Sequence, residues 1–353
     1  MAVGFCFAAG TRLLTVRGEV PVEDLREGES IVTLVGTSRA LRPVVWIGRR
    51  QVDLVASPEP ELSAPVRIRR DAFAENIPGR DVWLSPDHRV LVDGRLIPVR
   101  LLANGMTITH ERDVTSVRYF HVELESHAII LAEGLPAETF LDELGDRSFF
   151  SNSDGPVSLQ PNLGKIVGPE AAARACAPLA MTAAESEPAW RSLADRARAL
   201  GFVPVQWDTT SDPDLRMVVD EHEIRPLVEE ATRCVFALPA GTQSIRLASR
   251  ASVPFDLDRA HEDWRNLGVG VTKLVYRVGA DQIEIPADHP SLIRGWHDAE
   301  TDGSTMWRWT NGSAHLPLPT PIGAGGAILE LHLFGHATYA VTEEDAETQR
   351  RVA

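Results

Sequence analysis

The feature that most restricts the fold is a series of short, β-branched apolar segments over residues 6–142, separated by glycine-containing turns. Segments such as SIVTLV, PVVWIG and HAIILA are six residues long, and turn-forming runs such as RGE and ANG stand between such segments. No long helical pattern alternates with them, which argues against a parallel α/β sheet. The pattern predicts a mostly β domain, in which Asp93 and Gly94 form a tight hairpin turn.

The rest of the chain predicts two further parts. After a stretch rich in Ser, Asn, Pro and Gly comes an Ala-rich segment, which predicts a helix with Pro188 near its start and Gly201 at its end. Strand-like runs then return and predict a second β domain of the sandwich type. We therefore expect a first domain over 1–150, a linker with a helix over 151–201, and a β-sandwich-like module over 202–353.

Composition and charge exclude several classes of function. The 353-residue chain has a formal net charge of −15, which argues against nucleic acid as a partner. It has neither an apolar run long enough to span a membrane nor a secretory signal, so we expect a cytoplasmic protein or one exported without a cleavable signal. Three cysteines, Cys6, Cys176 and Cys234, provide neither a disulfide framework nor a metal-ligand pattern. We expect a reducing compartment, no metal ion and no cofactor.

Cys6 is the candidate nucleophile. Its sulfur can attack the carbonyl of Phe5 in an N–S acyl shift, which releases the backbone nitrogen of Cys6. Because a free thiol has a pKa of ~8.5, this reaction needs activation of the thiol, a proton donor for the nitrogen and donors for the oxyanion. The alternative is that Cys6, between two phenylalanines, is an ordinary buried side chain.

Two histidine-containing segments could supply the proton donor. In LSPDHRVLV, Ser85 and His88 are spaced as hydroxyl-x-x-His at the start of a strand. Histidine titrates near neutrality, so His88 could protonate a leaving amine. The segment FHVELESHAIILAEG adds His121 and His127 as further candidates.

These segments resemble, in order, three sequence blocks of the Hint domains, whose fold is shared by inteins and Hedgehog autoprocessing domains. CFAAGTRLLTVRGEVPVEDLREGE is similar to the first block, SPDHRVLV to the second and SHAIILAEG to the late block. The resemblance covers residues 6 to about 150 and is greatest to bacterial Hint-domain proteins that are neither inteins nor Hedgehogs. It implies a compact, pseudo-twofold, all-β horseshoe.

The resemblance also implies roles for individual residues. Cys6 matches the nucleophile that forms the thioester at the bond to Phe5. His88 matches the histidine that protonates the scissile nitrogen, and Ser85 stands where the family more often has threonine.

At the late block, the resemblance is incomplete. His127 matches the late-block histidine, and His121 lies near the late-block acidic position of inteins. An intein ends in an asparagine followed by a nucleophile, whereas this chain has Thr139 followed by Phe140. Without that asparagine the side-chain cyclisation that completes splicing is not expected.

Together these features predict self-cleavage without splicing. An upstream polypeptide is the expected substrate, and its thioester is hydrolysed or passed to another nucleophile. The five residues before Cys6 are either a trivial leaving fragment or the remnant of a longer precursor. The alternative is an inert Hint scaffold that carries a carbohydrate- or partner-binding module.

A tryptophan-rich segment suggests what that module would bind. In GWHDAETDGSTMWRWTNG, Trp296, Trp307 and Trp309 stand near Glu300. Aromatic rings beside polar groups can stack on sugars, so these four residues are the candidate carbohydrate site. The alternative is a core corner in which Glu300 forms an ion pair with Arg308.

Overall fold

The computed structural model describes residues 5–36, 38–57, 60–141, 147, 150–151, 173–204, 207–259, 261–318, 322 and 325–341. The chain divides into two compact units, Met1–Val205 and Gln206–Ala353. Both are built mainly from β strands, which confirms the predicted fold class. Among the described residues, no helix is long and apolar enough to cross a membrane.

The first unit contains a hydrogen-bonded sheet of thirteen described strands. They are β1 (Phe7–Ala8), β2 (Arg12–Thr15), β3 (Gly18–Pro21), β4 (Ser30–Val35), β5 (Ser38–Asp53), β6 (Val66–Ile68), β7 (Val82–Leu84), β8 (Arg89–Val92), β9 (Arg95–Pro98), β10 (Ile108–His110), β11 (Ser116–Leu124), β12 (Ile129–Ala132) and β13 (Leu135–Glu138). Short 3₁₀ helices cover Val22–Asp24, Pro60–Leu62 and Val99–Leu102. The strand order is β10-β6-β7-β1-β11-β5-β4-β2-β12-β13-β8-β9, with β3 paired to β2.

Strand β1 positions the candidate nucleophile. Although it has two residues, β1 lies between β7 and β11, where Phe7 pairs with Leu84 and Phe120. Cys6, immediately before it, is fully buried in a cluster that includes Tyr119 and Phe150. Cys6 therefore lies directly before a strand that pairs with a neighbouring strand on each side.

The hairpin predicted at Asp93 and Gly94 is confirmed. Val92 pairs with Arg95, and the two turn residues have positive φ angles of 48° and 77°. We expect Gly94→Ala to destabilise the β8–β9 hairpin by about 1 kcal/mol, because an alanine side chain disfavours this conformation. Faster hydrogen exchange of the hairpin amides would show it, and Asp93→Asn is the control because asparagine tolerates positive φ. Unchanged exchange in Gly94→Ala would contradict the prediction.

Helix α1 (Ala183–Ala199) belongs to the first unit. It begins earlier than predicted, because Thr182 and Glu185 form a capping box, so that Pro188 lies in its second turn. Gly201, with a φ of 88°, follows its end as predicted. The indole N–H of Trp190 donates to the carbonyl of Ala103 at 2.8 Å, so the helix packs against the chain just after the 3₁₀ helix Val99–Leu102.

The second unit contains three described sheets. Its strands are β14 (Thr209–Thr210), β15 (Arg216–Val219), β16 (His222–Ile224), β17 (Val228–Glu230), β18 (Arg233–Leu238), β19 (Ile245–Ala248), β20 (Val269–Val278), β21 (Asp281–Pro286), β22 (Trp296–Thr301), β23 (Met306–Thr310), β24 (Ser313–Leu316), β25 (Ala327–His336) and β26 (Tyr339–Ala340), and helix α2 covers Pro254–Leu257. The sheet orders are β14-β26, β16-β15-β19-β24, and β17-β18-β25-β20-β23-β22 with β21 paired to β20. Met217 and Leu247 of the four-stranded sheet share one buried core with Phe236 and Leu331 of the larger sheet, as in a sandwich.

Candidate functional site

The backbone nitrogen of Cys6 contacts the hydroxyl group of Ser85. The N–H of Cys6 donates to Ser85 Oγ at 2.7 Å, and the N–H of Ser85 donates to the carbonyl of Cys6 at 2.9 Å. The chain then turns, and the N–H of His88 donates to the carbonyl of Ser85 at 3.0 Å. This turn after β7 brings the hydroxyl predicted from the sequence to the nitrogen that an N–S acyl shift would release, and it places the His88 ring near the backbone of Cys6.

His88 is fully buried, with its ring 4.3 Å from that of Phe7. Burial lowers the pKa of His88 to about 4, although the carboxylate of Glu138 and the backbone of Cys6 favour the protonated ring. The sequence-based expectation of titration near neutrality is therefore not met. At neutral pH the ring is uncharged, so it must receive a proton before it can donate one.

The thiol of Cys6 is also fully buried. Burial raises the pKa of this thiol far above its usual value, and the nearby charge of Arg50 offsets this only in part. The thiol consequently keeps its proton at neutral pH. Its attack on a carbonyl requires transfer of that proton to a neighbouring group.

His121 lies in an aromatic cage beside the residue that precedes the candidate nucleophile. Its ring centroid is 4.4 Å from that of Phe140, 5.5 Å from that of Phe150 and 6.5 Å from that of Phe5. Burial, together with the charges of neighbouring histidines, lowers the pKa of His121 well below its usual value. His121 is therefore a neutral ring that packs against Phe5.

A buried charged network, not anticipated from the sequence, lies beside these groups. Glu138 Oε1 accepts from the N–H of Arg89 at 2.9 Å, and its Oε2 lies 3.2 Å both from Arg89 Nη1 and from His127 Nε2. The guanidinium of Arg89 lies 4.1 Å from the ring centroid of Phe5. The sequence did contain a signal for this network, namely the charged residues within the apolar runs HRVLV and LPAETF. Buried charges in proteins are normally paired, so such residues indicate an internal ion pair.

His127 connects this network to Cys176. The backbone N–H of Cys176 donates to His127 Nδ1 at 3.0 Å. Burial opposes protonation of the ring, but hydrogen bonds and charges from Cys176 and Glu138 raise the pKa of His127 to about 9. The sequence assigned no role to Cys176, which lies 49 positions from His127.

Comparison with known proteins identifies part of the first unit. Residues 5–143 match the family model of the Hint domain. These residues form a Hint domain. The predicted family and its fold are thereby confirmed, and a Hint fold supports self-processing of an adjacent polypeptide in general.

Solved structures similar to this chain include three intein-type domains. The bacterial intein-like domain from Clostridium thermocellum is 14% identical, with a TM-score of 0.30 and coverage of 40% of this chain and 99% of that domain. The Ssp DnaB mini-intein variant M86 is 11% identical, with a TM-score of 0.29 and coverage of 39% and 97%. The MchDnaB-1 intein is 18% identical, with a TM-score of 0.27 and coverage of 37% and 98%. No curated protein matches the chain.

Thr139 is the residue that the resemblance in sequence aligns with the asparagine of inteins. It is buried, and its Oγ1 accepts a hydrogen bond from the N–H of Ala128 at 3.0 Å. Its own N–H donates to the carbonyl of Ala128 at 2.9 Å. The side chain of Thr139 therefore binds the backbone next to His127, and it has no amide that could cyclise.

Outside the Hint domain, the tryptophans of the candidate carbohydrate site have different surroundings. Trp296 is buried in the core of the second unit, and its indole N–H donates to the carbonyl of His315 at 2.8 Å. Trp307 is stacked on Phe334, with centroids 4.0 Å apart, and Trp309 is half-buried. Because Trp296 is buried, it has no exposed ring face on which a sugar could stack. Only Trp307 and Trp309, of the three predicted tryptophans, are accessible enough for such a contact.

Glu300 forms an ion pair different from the one expected. Its Oε1 lies 2.6 Å from Arg265 Nη1, and Arg265 also contacts Asp263 at 2.6 Å. Arg308, the expected partner, instead donates to the carbonyl of His297, so that expectation is wrong. Within the described ranges, no group of three or more His, Cys, Asp or Glu side chains is arranged to hold a metal ion.

Proposed function

We propose that the Hint domain cleaves the Phe5–Cys6 peptide bond by an N–S acyl shift and releases the polypeptide that precedes Cys6. The observation that carries this proposal is the 2.7 Å hydrogen bond from the Cys6 N–H to Ser85 Oγ, with the His88 ring facing the same backbone. These contacts support the proposal because a thiol, an amide nitrogen and a hydroxyl group lie together, with an imidazole near the same backbone.

The buried environment defines the order of proton transfers. Neutral His88 accepts the proton of the Cys6 thiol as the sulfur attacks the carbonyl carbon of Phe5. The protonated ring then donates to the backbone nitrogen of Cys6 while the C–N bond breaks. Ser85 holds the N–H of that nitrogen and so orients it toward the proton donor. The products are a thioester between Phe5 and Cys6 and a free amine on Cys6.

The reaction ends without splicing. Because Thr139 stands where an intein has asparagine, the carboxy-terminal part of the chain is not released by cyclisation. The thioester is instead resolved by water or by another nucleophile, and the upstream polypeptide leaves. We propose that the protein acts in the cytoplasm, or that it is exported without a cleavable signal.

We expect a folded protein fused upstream of Phe5 to be released by the wild-type chain on addition of hydroxylamine or a thiol. Cys6→Ala abolishes this release because no thioester can form, and His88→Ala slows it by about 100-fold because proton transfer is lost. Cys234→Ala is the matched control, because Cys234 is a buried cysteine in the second unit, and it should release at the wild-type rate. Intact mass of the products gives both the rate and the cleavage position.

The outcome that contradicts the proposal is equal release, or equal absence of release, from the wild type and Cys6→Ala. Circular dichroism of each variant separates lost chemistry from lost folding. In that case the alternative of an inert Hint scaffold gains support. Glycan binding by the wild type, and its loss in Trp307→Ala, would then support a carbohydrate-binding module.

A further inference from the structure

Phe5, the residue on the acyl side of the bond that the proposed reaction cleaves, is buried in the Hint domain. It is only 9% exposed, although it precedes the first strand of the sheet. The acyl shift uses the carbonyl carbon of Phe5, so the chemistry itself does not require this side chain to be buried. The groups that surround the ring therefore indicate which residue the domain accepts at this position.

The guanidinium of Arg89 lies over the ring of Phe5. The distance from Arg89 Cζ to the ring centroid is 4.1 Å, which is within the range of a cation–π interaction. Arg89 has no exposed surface, and Glu138 fixes its guanidinium, since Oε2 of the carboxylate lies 3.2 Å from Nη1. The cation is thus desolvated and already oriented, and these are the conditions in which a cation–π contact is strongest.

The imidazole of His121 also contacts the ring of Phe5. The two ring centroids are 6.5 Å apart, a separation found in aromatic pairs. His121 is held in turn by ring contacts with Phe140 and Phe150. We call Arg89 and His121 the acyl-side subsite, because they place one cation and one aromatic ring against the side chain that precedes Cys6.

The chemistry of the acyl-side subsite discriminates among side chains at position 5. An aromatic ring offers its negative face to the guanidinium, whereas an aliphatic side chain fills the space without this attraction. A lysine would bring a second cation next to Arg89, away from water. Because the side chain and the scissile carbonyl belong to the same residue, holding the ring also limits the orientations of that carbonyl beside the Cys6 thiol.

We propose that Arg89 and His121 select an aromatic residue at position 5, so that the upstream polypeptides cleaved by this domain are those that end in an aromatic side chain. This inference rests on the acyl shift proposed above and adds the class of its substrate. Arg89 is a positioning residue in this reaction, because it holds the acyl side chain and takes no part in breaking the bond.

The test uses the upstream fusion on the full chain with different residues at position 5. Release is measured at a hydroxylamine concentration above which the rate no longer rises, so that the acyl shift limits the rate. Phe5→Leu should slow release about tenfold, because leucine loses the attraction to Arg89. Phe5→Lys should slow it about 100-fold, because two cations in one buried space displace the carbonyl.

Variants of the Hint domain test whether Arg89 is the source of this preference. The double variant Arg89→Met, Glu138→Gln removes both members of the buried ion pair, and it should release phenylalanine and leucine fusions at about equal rates. Arg118→Met is the matched control, because Arg118 lies 5.5 Å from the ring centroid of Phe120 but is exposed. This control should keep the preference of about tenfold for phenylalanine over leucine.

Equal release of the phenylalanine and leucine fusions by the unchanged domain overturns the subsite, while loss of release in Cys6→Ala shows that the acyl shift stands. An undiminished preference for phenylalanine in the double variant also overturns the role of Arg89. If circular dichroism shows that the double variant does not fold, the position-5 series decides, since it leaves every residue from Cys6 onward unchanged. Absence of release from every fusion overturns both proposals.

Discussion

Glu138→Gln lowers the free energy of unfolding of the Hint domain by about 3 to 5 kcal/mol. Glu138 and Arg89 have no exposed side-chain surface, and their charged atoms lie 3.2 Å apart. The substitution keeps the shape of the side chain but removes the charge that neutralises the buried guanidinium. Since neither side chain reaches water, solvent cannot replace the lost interaction.

The same substitution changes the titration of His127. Its pKa should fall from about 9, because one of the groups that favours the protonated ring is lost. Glu123→Gln is the matched control, because the pair between Glu123 and Arg147 lies in the same unit but is partly exposed, and it should cost at most about 1 kcal/mol. Hydrogen exchange measures the stability and NMR the titration. Similar losses from the two glutamine variants would contradict the prediction.

The Hint domain loses stability as the pH falls from about 6.5 to 4. Burial lowers the pKa of His88 to about 4, that of His110 to about 3, and that of His121 well below its usual value. In the unfolded chain these rings titrate near pH 6.5. Below that pH these histidines are protonated in the unfolded state but not in the folded state, so unfolding becomes more favourable. His88 alone lowers stability by about 3 kcal/mol at pH 4.

His127 has the opposite effect at higher pH. Because its pKa is raised to about 9, its contribution to stability is complete below about pH 6.5 and is lost as the pH rises to 9. Urea unfolding of the first unit at pH values between 4 and 9, with hydrogen exchange as the readout, measures how stability changes with pH in the acidic and in the basic range.

His121→Phe tests the contribution of one buried histidine to acid sensitivity. This variant should resist acid better, because a phenylalanine ring fills the aromatic cage without a titrating group. His222→Gln, at an exposed position in the second unit, should leave the acid transition of the first unit unchanged. An acid transition in His121→Phe that coincides with the wild-type transition would contradict this account.

Much of the Hint domain could be predicted from local sequence patterns. Apolar runs separated by glycine turns predicted the strands, and Asp93-Gly94 predicted the β8–β9 hairpin, because turn geometry depends on neighbouring residues. Ser85 and His88 could be placed together because they share one short turn. Their contact with Cys6 was expected from the resemblance in sequence to Hint domains, and their catalytic roles remain a prediction.

Tertiary structure alone decided which charged groups meet and which of them are ionised. Glu138 reaches Arg89, and Cys176 reaches His127, across 49 positions of sequence in each case, and no local pattern specifies such contacts. Burial then determines the protonation states. The pKa of the imidazole is lowered at His88, where desolvation dominates, and raised at His127, where hydrogen bonds and charges from Cys176 and Glu138 outweigh desolvation. The sequence thus determined the strands, the turns and the candidate nucleophile, whereas packing determined the electrostatics around it.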